Sequence, residues 1–147
     1  MSLYLRKASI EDRELLFKWA NDPTVRANSF STEKISYDEH VLWFDNIMKR
    51  SDCIQYILMD NDMPIGQARV SIEGEIAEIG YSICKEKRGM GYGSELLKFV
   101  SREIYKNCSN ISKIIGRVKP ENIASQKAFI KAGYIEKYRT FEIKRKY

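Results

Sequence analysis

The stretch Arg88-Gly89-Met90-Gly91-Tyr92-Gly93-Ser94 constrains this chain most, because it joins a strand-like run, Glu75 to Cys84, to an amphipathic run, Tyr92 to Asn107, that reads as a helix. Glycines at alternate positions let the backbone turn sharply and gather several N–H groups around one ligand, and the helix N-terminus adds partial positive charge. Lys85, Lys87 and Arg88 place full charges at its mouth, where a di- or triphosphate needs them. Glycine is common at such corners for conformational reasons alone, so the loop by itself specifies little. A Walker loop is excluded, since Gly93 is followed by Ser94 and Glu95 with no Lys. A dinucleotide fingerprint is excluded as well, because the glycines are evenly spaced and lie past mid-chain.

Upstream, Leu3 to Ala8 reads as a first strand, and Ser9 with Asp12 as the cap of a helix carrying Leu15, Leu16, Trp19 and Ala20. That helix should stop at Asn21-Asp22-Pro23, with a loop through Thr32. Ser36 and Glu39 announce a second helix, Tyr37 to Arg50, with Val41, Phe44, Ile47 and Met48 on one face. His40, the only histidine, lies at the edge of that face; packing is the preferred reading, with a base or substrate contact as the other. Arg26, Asn28 and Ser29 in the loop are better candidates, because functional contacts concentrate on loops and Arg suits anions.

Ile54 to Asp60, Ile65 to Ile72 and the run ending at Cys84 read as an antiparallel meander. In the last of these, the two-residue period puts Glu78, Gly80 and Ser82 on one face. Beyond the loop, a strand at Ile114 to Val118 is followed by a helix opened by Asn122 and closed by Gly133. Tyr134 to Arg139 and Phe141 to Lys146 read as a closing hairpin. The expectation is one mixed α/β domain over residues 1–147, with a central sheet of about seven strands and four helices.

Three of these features together resemble the GNAT superfamily of acetyl-CoA-dependent N-acetyltransferases. Arg88 to Gly93 is similar to its (Arg/Gln)-x-x-Gly-x-(Gly/Ala) pyrophosphate loop, Asn122 through Phe129 to Gly133-Tyr134 to its second signature, and Ile79 to Ile83 to the strand before the loop. The order of elements is also that of the GNAT fold. The resemblance implies acetyl-CoA as cosubstrate, with backbone contacts near Ile83 and Lys85. It implies pyrophosphate contacts from Arg88, Gly89, Met90, Gly91, Tyr92, Gly93 and Ser94, and further contacts from Asn122, Ser125, Lys127 and Phe129. No metal is expected.

Acetyl transfer to an amine needs a neutral nitrogen, yet amines with pKa values of about 8 to 10.4 are mostly protonated at neutral pH. Glu78 is the candidate base, since it shares the cleft-facing side of the strand that leads into the loop. Many relatives carry a Tyr seven positions after the Asn to protonate the departing thiolate, but this chain has Phe129 there. Ser82, Tyr134 and Tyr138 are candidate substitutes, and a thiol with pKa of about 8.5 can also leave as the anion.

Trp19 to Pro23, Val25-Arg26, Asn28 to Phe30, Glu39-His40 and Trp43-Phe44 resemble the N-terminal part of nucleotide-aminosugar N-acetyltransferases of the pseudaminic acid type, and in part the ribosomal-protein N-acetyltransferases. The first resemblance implies the 4-amino group of a UDP-linked amino-deoxysugar as acceptor, with Arg26, Asn28 and Ser29 at the substrate. The second implies a protein N-terminus, and Phe129 keeps a non-catalytic acyl-CoA-binding module in view.

A net charge of +5 suits anionic small molecules, but the basic residues are not interleaved with aromatics in a nucleic-acid-binding pattern. No apolar run is long enough to span a bilayer, the start lacks an apolar signal core, and three cysteines show neither metal-ligand spacing nor an even number for pairing. A cytoplasmic enzyme without nucleic-acid or membrane partners is expected, and a homodimer is left open.

Overall fold

The computed structural model describes residues 2–145. Five strands form one sheet in sequence order: β1 (Leu3–Lys7), β2 (Cys53–Asp60), β3 (Met63–Glu73), β4 (Ile76–Ile83) and β5 (Lys113–Ile115). The first four are antiparallel neighbours, whereas β4 and β5 run parallel. Asn61 (φ 55°) and Gly74 (φ 60°) take the left-handed conformations that let β2, β3 and β4 follow one another through tight turns.

The helices are α1 (Arg13–Ala20), α2 (Pro23–Asn28), α3 (Tyr37–Lys49), α4 (Tyr92–Asn107) and α5 (Ile123–Lys131). A short 3₁₀ turn, Ile10–Asp12, leads into α1. Asp12 is held there by Arg6 through two hydrogen bonds of 2.7 and 2.9 Å, and accepts a third from the Ser9 N–H. Burial splits the sheet by the strand period. Leu16, Phe44, Ile57 and Met59 make a core on one face with Trp19 and Trp43, while Tyr56, Leu58, Ala68 and Val70 face Leu96, Leu97, Val100 and Ile104 of α4 on the other.

Two sequence expectations are corrected. Pro23 does not open a loop: Asp22 accepts hydrogen bonds from the N–H groups of Thr24 and Val25 and caps a short helix with Pro at its start, a position whose N–H has no helical partner to lose. So there are five α-helices rather than four.

The closing hairpin is not formed either, leaving five strands rather than about seven among the described residues. Residues 134–145 carry no regular structure, and Ile135, Tyr138, Phe141 and Ile143 are exposed. The last strand of the sheet, β5, pairs over only three residues, so its outer edge offers few hydrogen bonds to offset the entropy of ordering two more strands. Lys146, where the expected hairpin ends, lies outside the described residues.

Gly66 permits the close approach of β3 to β4 below the site, since a Cβ there would lie 2.9 Å from the Ser82 carbonyl oxygen and 2.8 Å from Ile83 Cδ1. Gly66→Ala is expected to destabilise the protein by about 1–3 kcal/mol, because backbone must move to admit the methyl group. Denaturant unfolding of the two proteins measures this as a lowered midpoint at constant slope.

Candidate functional site

The β4–β5 ladder runs only from Ile76 to Glu78 on β4. Past Glu78 the strands have no further pairing, and a cleft of about 1230 Å³ lies there, bounded by β4, the loop into α4, α5, α2 and α3. Its walls bring together Glu78, Ser82, Ile83, Arg88, Gly89, Gly91, Tyr92, Gly93, Ser94, Asn122, Ser125, Lys127 and Phe129, which the sequence reading had assigned to one site. Arg26, Asn28, Ser29 and His40 line the same space, whereas Lys85, Met90 and Tyr134 do not.

The glycine loop has the form its sequence demands. Gly89 (φ 77°) and Gly91 (φ 85°) are left-handed, and Gly91 is the N-cap of α4, so the positive end of the helix dipole borders the cleft. The Ser94 hydroxyl donates to the Gly91 carbonyl (3.0 Å) and is buried, so its side chain serves the turn. A Cβ on Gly93 would sit 3.3–3.5 Å from Tyr81 and Ala128, so the helix start packs closely against both. Arg88 donates from Nε to the Ile83 carbonyl (3.0 Å) and from Nη2 to Asp22 Oδ1 (3.0 Å). Burial pushes the Asp22 carboxyl up, but Arg88 and the two capping N–H groups outweigh it and hold it below its usual value. These features fit a pyrophosphate.

Across the gap, Asn122 caps α5 by accepting from the Ser125 N–H (3.2 Å), and the Ser125 hydroxyl accepts from Tyr81 (3.0 Å). Burial pushes the Tyr81 phenol up, opposed by that hydrogen bond, so it stays protonated at neutral pH. Phe129 is buried with its ring edge-on to Tyr81 and Tyr134, at 5.8 and 4.9 Å between centroids. The Tyr134 hydroxyl lies 2.8 Å from Ser101 on α4, outside the cleft wall.

The cleft has a polar floor. Gln55, Gln67, Arg69, Ser71, Glu78, Gly80 and Ser82 share one sheet face, and registers pair Gln67 with Ser82, Arg69 with Gly80, and Ser71 with Glu78. Gln55, buried in β2, donates to Gln67 Oε1 (2.7 Å) and the Ala68 carbonyl (3.1 Å); Gln67 donates in turn to the Ser82 hydroxyl (3.0 Å). Ser82 thus accepts from the floor and keeps its own proton to donate. Glu78 lies 3.6 Å from Arg117, and the Arg69 guanidinium sits 5.2 Å over the Trp43 ring.

Two candidate substrate residues turn out to hold structure. Arg26 donates to the carbonyls of Ala20, Ser31 and Glu33 and to the Ser29 hydroxyl, so its guanidinium folds the wall. His40 Nε2 donates to the Arg13 carbonyl (2.8 Å) among Phe17, Trp43 and Phe44, which accords with its packing reading. Sequence reasoning passed over Asp22, Gln55, Gln67, Arg69, Tyr81 and Arg117. Of these only Gln55, a lone amide in a mostly apolar strand, carries a local signal. Among the described residues no group of three or more His, Cys, Asp or Glu is placed to hold a metal, and no helix is long and apolar enough to cross a membrane.

No curated protein matches the chain in sequence. Among solved structures it is similar to a domain from Methanocaldococcus jannaschii, at 23% identity over 96% of this chain and 93% of that one, with a TM-score of 0.82. It is similar to a spermidine N-acetyltransferase from Vibrio cholerae in complex with CoA and spermine, at 20% identity over 92% and 82%, TM-score 0.83. An aminoglycoside acetyltransferase AAC(6')-Ib in complex with coenzyme A gives 20% identity over 90% and 83%, TM-score 0.77. At these identities the likeness establishes the fold. The model of the acetyltransferase (GNAT) domain matches residues 2–135, nearly the whole length, and with the loop geometry above it shows that the chain is an acetyltransferase belonging to the GNAT family.

Proposed function

We propose that the protein, as one domain over residues 1–147, transfers the acetyl group of acetyl-CoA to a primary amine by direct attack in a ternary complex. The acceptor in this reading is the 4-amino group of a UDP-linked amino-deoxysugar, met in the cytoplasm. The observation that carries it is the charge of the cleft wall, where Arg69, Lys87, Arg88, Arg117, Lys127 and Lys131 outnumber the lining acids Glu39 and Glu78. Such a wall favours an amine that brings negative charge with it and disfavours polycations such as the spermine or aminoglycosides of the structural neighbours. Phe30, largely exposed in the same wall, offers an aromatic face to a planar base. A protein N-terminus is the second reading, since Arg69 and Arg117 would equally attract an acidic peptide.

Acetyl-CoA supplies the thioester, whose acyl carbon forms the new C–N bond as its C–S bond breaks. The backbone N–H groups at the start of α4, with Arg88, hold the pyrophosphate, and Asn122, Ser125, Lys127 and Phe129 flank the rest of the cosubstrate. Glu78 takes the proton from the attacking ammonium, directly or through one water. Ser82, aimed by Gln67, donates toward the oxygen that gains charge. Phe129 has no proton to give, and the Tyr81–Ser125 pair supplies hydroxyls beside it, which favours an enzyme over a binding module.

Calorimetry with acetyl-CoA, followed by thiol release with a UDP-4-amino-sugar, spermidine, kanamycin and an N-terminal peptide, tests the assignment. Turnover with the nucleotide sugar and none with the polycations is expected; preferential turnover of spermidine or kanamycin would sink the acceptor reading. Glu78→Gln is expected to lower kcat/KM by about 10²–10⁴-fold at neutral pH while leaving acetyl-CoA affinity unchanged. Full activity of that variant across the pH range would remove Glu78 from the base role.

A further inference from the structure

Arg88 opens the glycine loop, but its guanidinium is not held by the loop alone. Nε is fixed by the Ile83 carbonyl at the end of β4, and Nη2 by Asp22, 66 residues earlier, each at 3.0 Å. The two side chains are 30% and 18% exposed, so water and salt screen this pair less than a surface one. Asp22 is itself fixed, because the same Oδ1 accepts the N–H groups of Thr24 (2.9 Å) and Val25 (3.3 Å) at the start of α2. Nη1 of Arg88 has no protein partner among the described residues.

We infer that Asp22 is a positioning residue of the phosphate site, holding Arg88 in the orientation in which its remaining N–H groups meet the cosubstrate pyrophosphate. This rests on reading the loop as the site of acetyl-CoA. An unrestrained arginine gives up rotamer entropy when it is immobilised on a ligand. Two anchors bear that cost before the ligand arrives, which is preorganisation. The opposing effect is direct repulsion, since a carboxylate beside the arginine disfavours any phosphate that approaches. Positioning and repulsion thus predict opposite signs when the charge of Asp22 is removed.

The same contact ties the two substrate sides together. Helix α2, capped by Asp22, carries Val25, Arg26 and Asn28 of the acceptor wall, with Ser29 just past its end, and at its far end Lys119, three residues before Asn122, donates to the Ala27 carbonyl (3.1 Å). So α2 is bonded to both lips of the gap, and the residue that orients Arg88 also caps the helix that lines the acceptor space.

Asp22→Asn isolates the contact, because Asn caps a helix about as well as Asp but cannot form the ion pair. Acetyl-CoA binding by calorimetry is compared among the full-length wild type, Asp22→Asn, Arg88→Ala and the double variant, with thermal midpoints beside each. Positioning predicts about tenfold weaker binding for Asp22→Asn despite the gain in net positive charge, and no additional loss when it is combined with Arg88→Ala. Binding by Asp22→Asn as tight as wild type or tighter overturns the proposal, as does an equal loss in the Arg88→Ala background. Arg88→Lys, which keeps the charge but not the two-point hold, gives a second reading should Asp22→Asn fold poorly: several-fold weaker binding supports the proposal and wild-type affinity overturns it. Absence of acetyl-CoA binding by the wild type overturns the phosphate-loop reading and this proposal with it, whereas wild-type binding with an unaffected Asp22→Asn overturns this proposal alone.

Discussion

The site depends on a pairing that stops. β4 and β5 share a parallel ladder of three residues, and after Glu78 the backbone of β4 is left without a neighbour on that side. A sheet that continued there would fill the gap and satisfy its own N–H and C=O groups; one that parts exposes them to whatever enters. Everything assigned to chemistry is arranged around that parting. Glu78 sits where pairing ends, Ser82 and Ile83 follow on the unpaired length, and the glycine loop and α4 begin where the strand runs out. Side chains bridge the gap: the Tyr81 phenol of the strand bonds Ser125 in the first turn of α5, and Glu78 pairs with Arg117 beyond β5.

The second constraint is coverage. Helices α1 and α3 bury the sheet face near β1 and β2, through Leu16 and Phe44, with Ala8 after β1, against Ile57 and Met59. The same face of β3 and β4 is left to polar side chains, and a polar group under partial cover must be bonded or it costs about 1–3 kcal/mol. The Gln55–Gln67–Ser82 chain meets that demand and in doing so fixes which way the serine hydroxyl points. Orientation of a donor is thus a by-product of satisfying a buried amide, and it requires no mobile element. Arg26 illustrates the opposite outcome: a charged side chain in the wall whose donors are spent on three carbonyls and a hydroxyl, leaving shape rather than charge as its contribution.

Much of this was legible in the residues. Left-handed glycines in the loop, the Asn122 cap, the two-residue period of β4 and the apolar stripe of α4 each depend on a few consecutive positions, and all appear where the sequence placed them. The meander was legible for the same reason, from turn residues flanking alternating strands. The failures were also local in origin. Asp22-Pro23 reads as a helix stop and as a helix start with equal right, and only the carboxylate's bonds to Thr24 and Val25 decide between them. The alternation of residues 134–145 looks like strand, but alternation supplies no partner.

What the sequence determined by itself is therefore the set of local conformations and, through three motifs in order, the family. What only the tertiary structure decided is which side chains meet. Arg88 finds Asp22 across 66 residues, Tyr81 finds Ser125 across 44, and Arg69 comes over Trp43 from a different element. Such contacts depend on strand register and helix docking, which are set by burial summed over the whole core, so no window of neighbouring residues contains them.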